Sequence, residues 1–121
     1  MAAPNIINVT SAIGSTDVLD VTTTPQIITQ NGAASGQVYK INSFSVANID
    51  GTNSAEISVE IFRGGSSYYL VRSVTVPANA SLVIMSRENA IYLVEGDQLR
   101  VSASANGDLQ AIVSYDIIDD A

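Results

Sequence analysis

Any chemistry in this chain would have to come from oxygen. It holds no histidine and no cysteine, so a Ser-His-Asp or Cys-His relay is impossible and a metal site would be all-oxygen. Glu88, Glu95 and Asp97 lie close together in the sequence. Paired carboxylates held about 5 to 9 Å apart across a cleft are what glycoside hydrolysis needs. Glu95 and Asp97, however, flank Gly96 in the pattern of a reverse turn, where carboxylates cap backbone amides. They are expected to be solvated turn residues. Asp50-Gly51-Thr52-Asn53 looks like a fragment of a calcium loop but lacks the alternating ligands and the closing glutamate. A hairpin turn is the expectation there. No catalytic residue, metal ligand or cofactor site is assigned, and the chain reads as a non-enzyme.

The tyrosines offer binding instead. Tyr39, Tyr68, Tyr69, Tyr92 and Tyr115 outnumber the 2 phenylalanines, and an exposed tyrosine gives rigid apolar area with a polar end, useful for sugar stacking and for protein contacts. Tyr92 and Tyr115 fall at core parity and are expected to line the core periphery with their hydroxyls in water. The adjacent pair Tyr68-Tyr69 must place one ring on each face of its strand, which leaves one ring available. A carbohydrate-binding module is one reading of such a surface, weakened by the absence of tryptophan.

The elements that would position these groups are strands. From Ala55 to Ile61, Ala55, Ile57, Val59 and Ile61 alternate with Glu56, Ser58 and Glu60, the period of a half-buried strand. Arg63-Gly-Gly-Ser-Ser67 then has hairpin length and leads to Tyr68 to Val76, with Tyr68, Leu70, Val74 and Val76 on one face and Tyr69 and Val71 on the other. Turn residues separate Ser81 to Met85, Ile91 to Val94 and Gln98 to Ala103. Asn106-Gly107 is the preferred pair for a type I′ turn, so a hairpin is expected to join Gln98 to Ala103 with the strand carrying Leu109, Ala111, Val113, Tyr115 and Ile117. Gln37 to Ile49 has apolar residues on both parities, which suggests a bulge or a strand passing between sheets. Asp17 to Val21 and Gln26 to Thr29 are shorter. Eight to ten short strands spaced by about 8 to 12 residues predict an all-β antiparallel sandwich or jelly roll without substantial helix, a small barrel being the second choice.

Length and charge set outer limits. The 121 residues suit a single domain, residues 1–121, able to bury a core without staples. Charged residues make up only 14% of the chain and its net charge is −7. The cations Lys40, Arg63, Arg72, Arg87 and Arg100 are scattered singly, so no basic patch for nucleic acid or an anionic membrane is expected. The opening residues lack the basic and unbroken apolar regions of a secretory signal, which points to folding in a cytoplasm. Residues 1–16 carry Ile6, Ile7, Val9 and Ile13 and no charged side chain. They are either a first strand at the sheet edge or an arm that pairs with a neighbouring subunit.

Particular stretches carry a resemblance: Ala3-Pro-Asn-Ile-Ile-Asn-Val-Thr10, Ile49-Asp-Gly-Thr-Asn-Ser54, Tyr68-Tyr-Leu70 with Val76-Pro-Ala78, Ile91-Tyr-Leu-Val-Glu-Gly-Asp97, Leu99-Arg-Val-Ser-Ala-Ser-Ala-Asn106 and Val113-Ser-Tyr115. Together they resemble a family of small virion structural proteins of tailed bacteriophages, including cyanophages, over Ala3 to Ile118. The resemblance implies a β-sandwich or jelly roll present in many copies on the virion, homo-oligomeric, and acting as a cement or decoration protein on the major capsid protein. A neck, tail or fibre component of the same virion is the alternative. On that reading the contact residues are Ile6, Ile7 and Val9 of the arm, followed by Tyr68 and Tyr69.

Overall fold

A computed structural model describes residues 11–86, 88 and 90–119. Nine strands among these residues run in the order β1 (Ser11–Asp20), β2 (Gln26–Gln30), β3 (Gln37–Asn48), β4 (Ala55–Arg63), β5 (Ser66–Val76), β6 (Ser81–Met85), β7 (Ile91–Leu93), β8 (Gln98–Ala103) and β9 (Leu109–Asp119). One sheet is ordered β1-β9-β3-β6 with β7 also on β3, and the other β2-β8-β4-β5. Every pairing is antiparallel. β6 and β7 lie in succession along the same strand and act as one interrupted strand. The pairs β1–β9, β2–β8, β3–β6/β7 and β4–β5 are then those of one long hairpin. Rolling that hairpin up until β9 also meets β3 and β8 also meets β4 produces a jelly roll.

Alternation explains the core. In β9, Leu109, Ala111, Val113 and Tyr115 are buried while Gln110 and Ile112 are exposed. Facing them from the second sheet are Ile57, Val59, Leu99 and Val101, all fully buried, with Phe44 and Ile41 of β3 among the largest side chains between the layers. Truncating a buried aromatic such as Phe44 costs about 3–5 kcal/mol in such a core.

The mixed parity of β3 has a bulge as its cause. Its register on β9 shifts between Ile41 and Ser43, so inward residues change from Ile41 to Phe44 and Val46. At the same level the neighbouring strand breaks between β6 and β7.

Three expectations need correction. Asn106-Gly107 does not close a hairpin: β8 and β9 belong to different sheets. Gly107 has φ 79, but Asn106 is not among the positive-φ residues that a type I′ turn requires. Its side-chain oxygen accepts from Thr23 N at 2.8 Å instead. Asp50-Gly51-Thr52-Asn53 is likewise a crossover from β3 to β4, not a hairpin. In β5, register shifts along β4 and Ser73 at φ 54 bring Val71 to the inner side beside Val59, not outward with Tyr69. The β4–β5 turn itself is as expected, with Gly64 and Gly65 at φ 61 and 81.

Candidate functional site

The carboxylates of the Val94–Asp97 turn are structural. Gly96 at φ 86 reverses the chain, and this turns both neighbouring side chains inward: Glu95 is 6% exposed and Asp97 1%. The expectation of solvated turn residues is therefore wrong, although their capping role holds. Asp97 accepts from Arg63 Nε at 2.8 Å and from Val94 N at 2.9 Å. A second guanidinium nitrogen of Arg63 reaches its other oxygen at 2.5 Å, a bidentate pair. Hydrogen bonding to Asp97 raises the Arg63 guanidinium above its ordinary range. Glu95 accepts from Gly36 N at 2.9 Å.

Fully buried Asn31 completes this clip. Its amide donates to Gln37 O and Leu93 O, both at 2.9 Å, and its oxygen accepts from Ser35 Oγ at 2.6 Å. The loop before β3, the turn before β8 and the end of β4 are thus tied together by side chains whose oxygens already hold backbone amides or arginine. Glu88 is exposed. Asp50 accepts from Thr52 N at 2.8 Å and Asn53 N at 3.3 Å, which lowers its pKa. Among the described residues no group of His, Cys, Asp or Glu side chains is arranged to hold a metal ion. None of their helices is long and apolar enough to cross a membrane.

The tyrosines divide differently from expectation. Tyr115 is buried, stacks on Tyr39 with centroids 5.2 Å apart, and donates to Asp17 Oδ2 at 2.8 Å rather than to water. Thr29 Oγ1 donates to the same oxygen at 3.0 Å, so the contact links the two sheets. Burial, with the Asp17 carboxylate adding, pushes the Tyr115 phenol above its ordinary range. Tyr92 is not at core parity: it is 41% exposed opposite Lys40, while Leu93 is buried. Tyr68 and Tyr69 do take opposite faces, pairing with Ile61 and Glu60. Both rings are nevertheless exposed, at 61% and 48%, because β5 is an edge strand. Arg72 lies over Tyr69 at 5.2 Å.

Ile6, Ile7 and Val9 lie outside the described residues. Ser11 to Thr16 belong to β1, paired along its length with β9. An unforeseen feature is an apolar row across the outer face of the same sheet: Val18 opposes Ile112, Ile112 opposes Ser45, and Ser45 opposes Val83. Val18 is 71% and Val83 66% exposed. The signal was present as apolar residues at the polar parity of their strands.

No protein-family model matches the chain. No curated protein matches it either. Among solved structures it is similar to a chain from Bacillus endospore appendages, described as a novel family of disulfide-linked pili, with a TM-score of 0.56 and 13% identity over 92% of this chain and 88% of that one. It is also similar to two structures of a pentameric capsid protein from metagenomic phage sequences, with TM-scores of 0.46 and 0.45 and 19% identity over 86% of this chain. The chain spans 63% and 62% of those capsid chains. At 13% identity, what the appendage chain shares with this one is the fold, an all-β sandwich of two antiparallel sheets.

Proposed function

We propose that this chain is a non-enzymatic structural protein of a bacteriophage virion, a cement protein that binds the outer surface of the major capsid lattice and stabilises the shell. One observation carries the structural half of this reading. The buried carboxylates Glu95 and Asp97 are engaged in holding backbone and arginine, whereas apolar side chains such as Val18, Val83 and Tyr68 stand uncovered at the surface. The Glu95 and Asp97 carboxylates are turned inward, and side chains that could make contacts are turned outward. The virion placement rests on the sequence resemblance. A fold shared with an appendage protein is compatible with a building-block role.

Mechanically, each copy bridging neighbouring capsomers lowers the free energy of the assembled shell, and weak contacts are multiplied by lattice symmetry. The protein folds in the host cytoplasm and resides on the particle. Its contacts, with the lattice and with neighbouring subunits, are the arm residues Ile6, Ile7 and Val9 and the Tyr68-Tyr69 end of the β4–β5 hairpin. Co-sedimentation with capsids lacking this protein tests the reading: saturable binding, weakened on the order of tenfold by the double change Tyr68→Ser and Tyr69→Ser, is expected. Failure of the purified chain to bind such capsids would sink it. Binding confined to necks, tails or fibres would move the protein to that part of the virion.

A further inference from the structure

The sheet edges are not equivalent. β5 is irregular along β4, with Ser73 at φ 54. β2 has only 5 residues and shifts register beside Ile28. The β6/β7 edge is interrupted between Met85 and Ile91. These are the devices by which sheet edges are made poor templates for another strand. β1 has none of them: its 10 residues pair with β9 without a register shift. Among the described residues no strand pairs with its outer edge.

Val21 N donates to Leu109 O at 2.9 Å, which fixes the alternation of the antiparallel ladder. Odd-numbered residues of β1 face β9, so the N–H and C=O groups of Ala12, Gly14, Thr16, Val18 and Asp20 point to the open edge. Two apolar side chains flank that edge uncovered, Ile13 at 61% and Val18 at 71% exposure, and they lie on opposite faces of the sheet. A strand added there would bring side chains to both faces at once.

We propose that the open edge of β1 accepts residues 1–10 of a second copy of this chain as an additional strand. Three observations select this occupant. The segment has no charged side chain, whereas the protein carries a net charge of −7, so its approach to the edge adds no like-charge repulsion to the acidic chain. Extended, its ten residues reach roughly 33 Å, the same span as the 10 residues of β1. The junction Asn8-Val9-Thr10-Ser11 has no glycine and no Asn-Gly or Asp-Gly pair for a two-residue hairpin turn, which disfavours a tight fold-back on its own β1. Donor and acceptor are different surfaces, so the contact is head-to-tail and yields a ring or an open chain. The inference rests on the building-block reading but not on which particle the protein joins.

Sedimentation velocity over a concentration series, on the full chain, tests it. Wild type is expected to assemble. A donor variant carrying Ile6→Asp, Ile7→Asp and Val9→Asp, and an acceptor variant, Thr16→Pro, are each expected to stay monomeric. Proline at Thr16 removes an edge-facing N–H and leaves the backbone bonds to β9 in place, losing besides only the hydroxyl contact with Ser114; Thr16→Val loses the same hydroxyl but keeps the N–H and should assemble like wild type. Mixing the donor and acceptor variants restores a single junction and should give a 1:1 dimer that grows no further. Should Thr16→Pro not melt like wild type, Val18→Pro replaces it. A monomeric wild type at every concentration, undiminished assembly of either variant, or no dimer in the mixture would overturn the proposal. Capsid binding is read separately, so a negative result here leaves the cement reading standing.

Discussion

Two peripheral regions of this sandwich handle exposure in opposite ways. At the clip, the polar side chains of Asn31, Glu95 and Asp97, which would normally face water, are buried and bonded inside the chain. Along β1 and the row Val18, Ile112 and Val83, apolar side chains that would normally be buried face solvent. The first arrangement is costly unless every group is partnered; the second is costly unless a partner arrives. Fold and contact are thereby assigned to separate parts of the molecule. The clip secures loops that join the two sheets, and the β1 flank is left for another surface.

The sharpest way to break this contrast is at Asn31. Asn31→Ala would leave Leu93 O without its buried donor and Gln37 O without its part-buried one. It should destabilise by about 3 kcal/mol, lowering the melting temperature by roughly 10 to 15 °C. Asp97→Asn comes next: it weakens the pair with Arg63, but that side chain is 51% exposed and can turn to water. A loss of about 2 kcal/mol in chemical denaturation is expected. Tyr115→Phe is smaller, about 1 kcal/mol, since Thr29 still donates to Asp17.

That variant also carries a pH signature. The folded phenol of Tyr115 has its pKa raised above the unfolded value of about 10. Its stabilising contribution is therefore whole below that value and is lost as pH rises through the folded pKa. Wild type should lose stability in that alkaline window more steeply than Tyr115→Phe, and equal slopes in pH-dependent melting would contradict the assignment. Last are Val18→Ser and Val83→Ser, which should change stability by less than about 0.5 kcal/mol. Assembly or capsid binding should nonetheless weaken on the order of tenfold. A large drop in melting temperature at Val18 would mean that the flank belongs to the fold after all.

Much of the fold was legible because alternation reports burial directly. Ser81–Met85 and Gln98–Ala103 have the boundaries their residues suggest. β1 was harder to see: of Ser11 to Thr16 only Ile13 is large and apolar, because an edge strand buries little. Pairing was less legible than position. Asn106-Gly107 has hairpin chemistry, yet a jelly roll pairs β9 with β1 and β3, and local residues say nothing of partners about 100 positions away. The same limit hid the clip. Asp97 beside a turn glycine looks solvated until Arg63, 34 residues earlier, is placed against it. That Tyr68 and Tyr69 take opposite faces was readable from parity, whereas the exposure of both rings on an edge strand and the row of Val18, Ile112 and Val83 required knowing which strands are neighbours.

The proposed role requires many copies of this chain as building blocks on each virion. Mass-spectrometric copy number in purified particles of the phage that encodes it, normalised to the major capsid protein, tests that most directly. A high copy number in a simple ratio to the capsid protein is expected. Absence from the particle would contradict it.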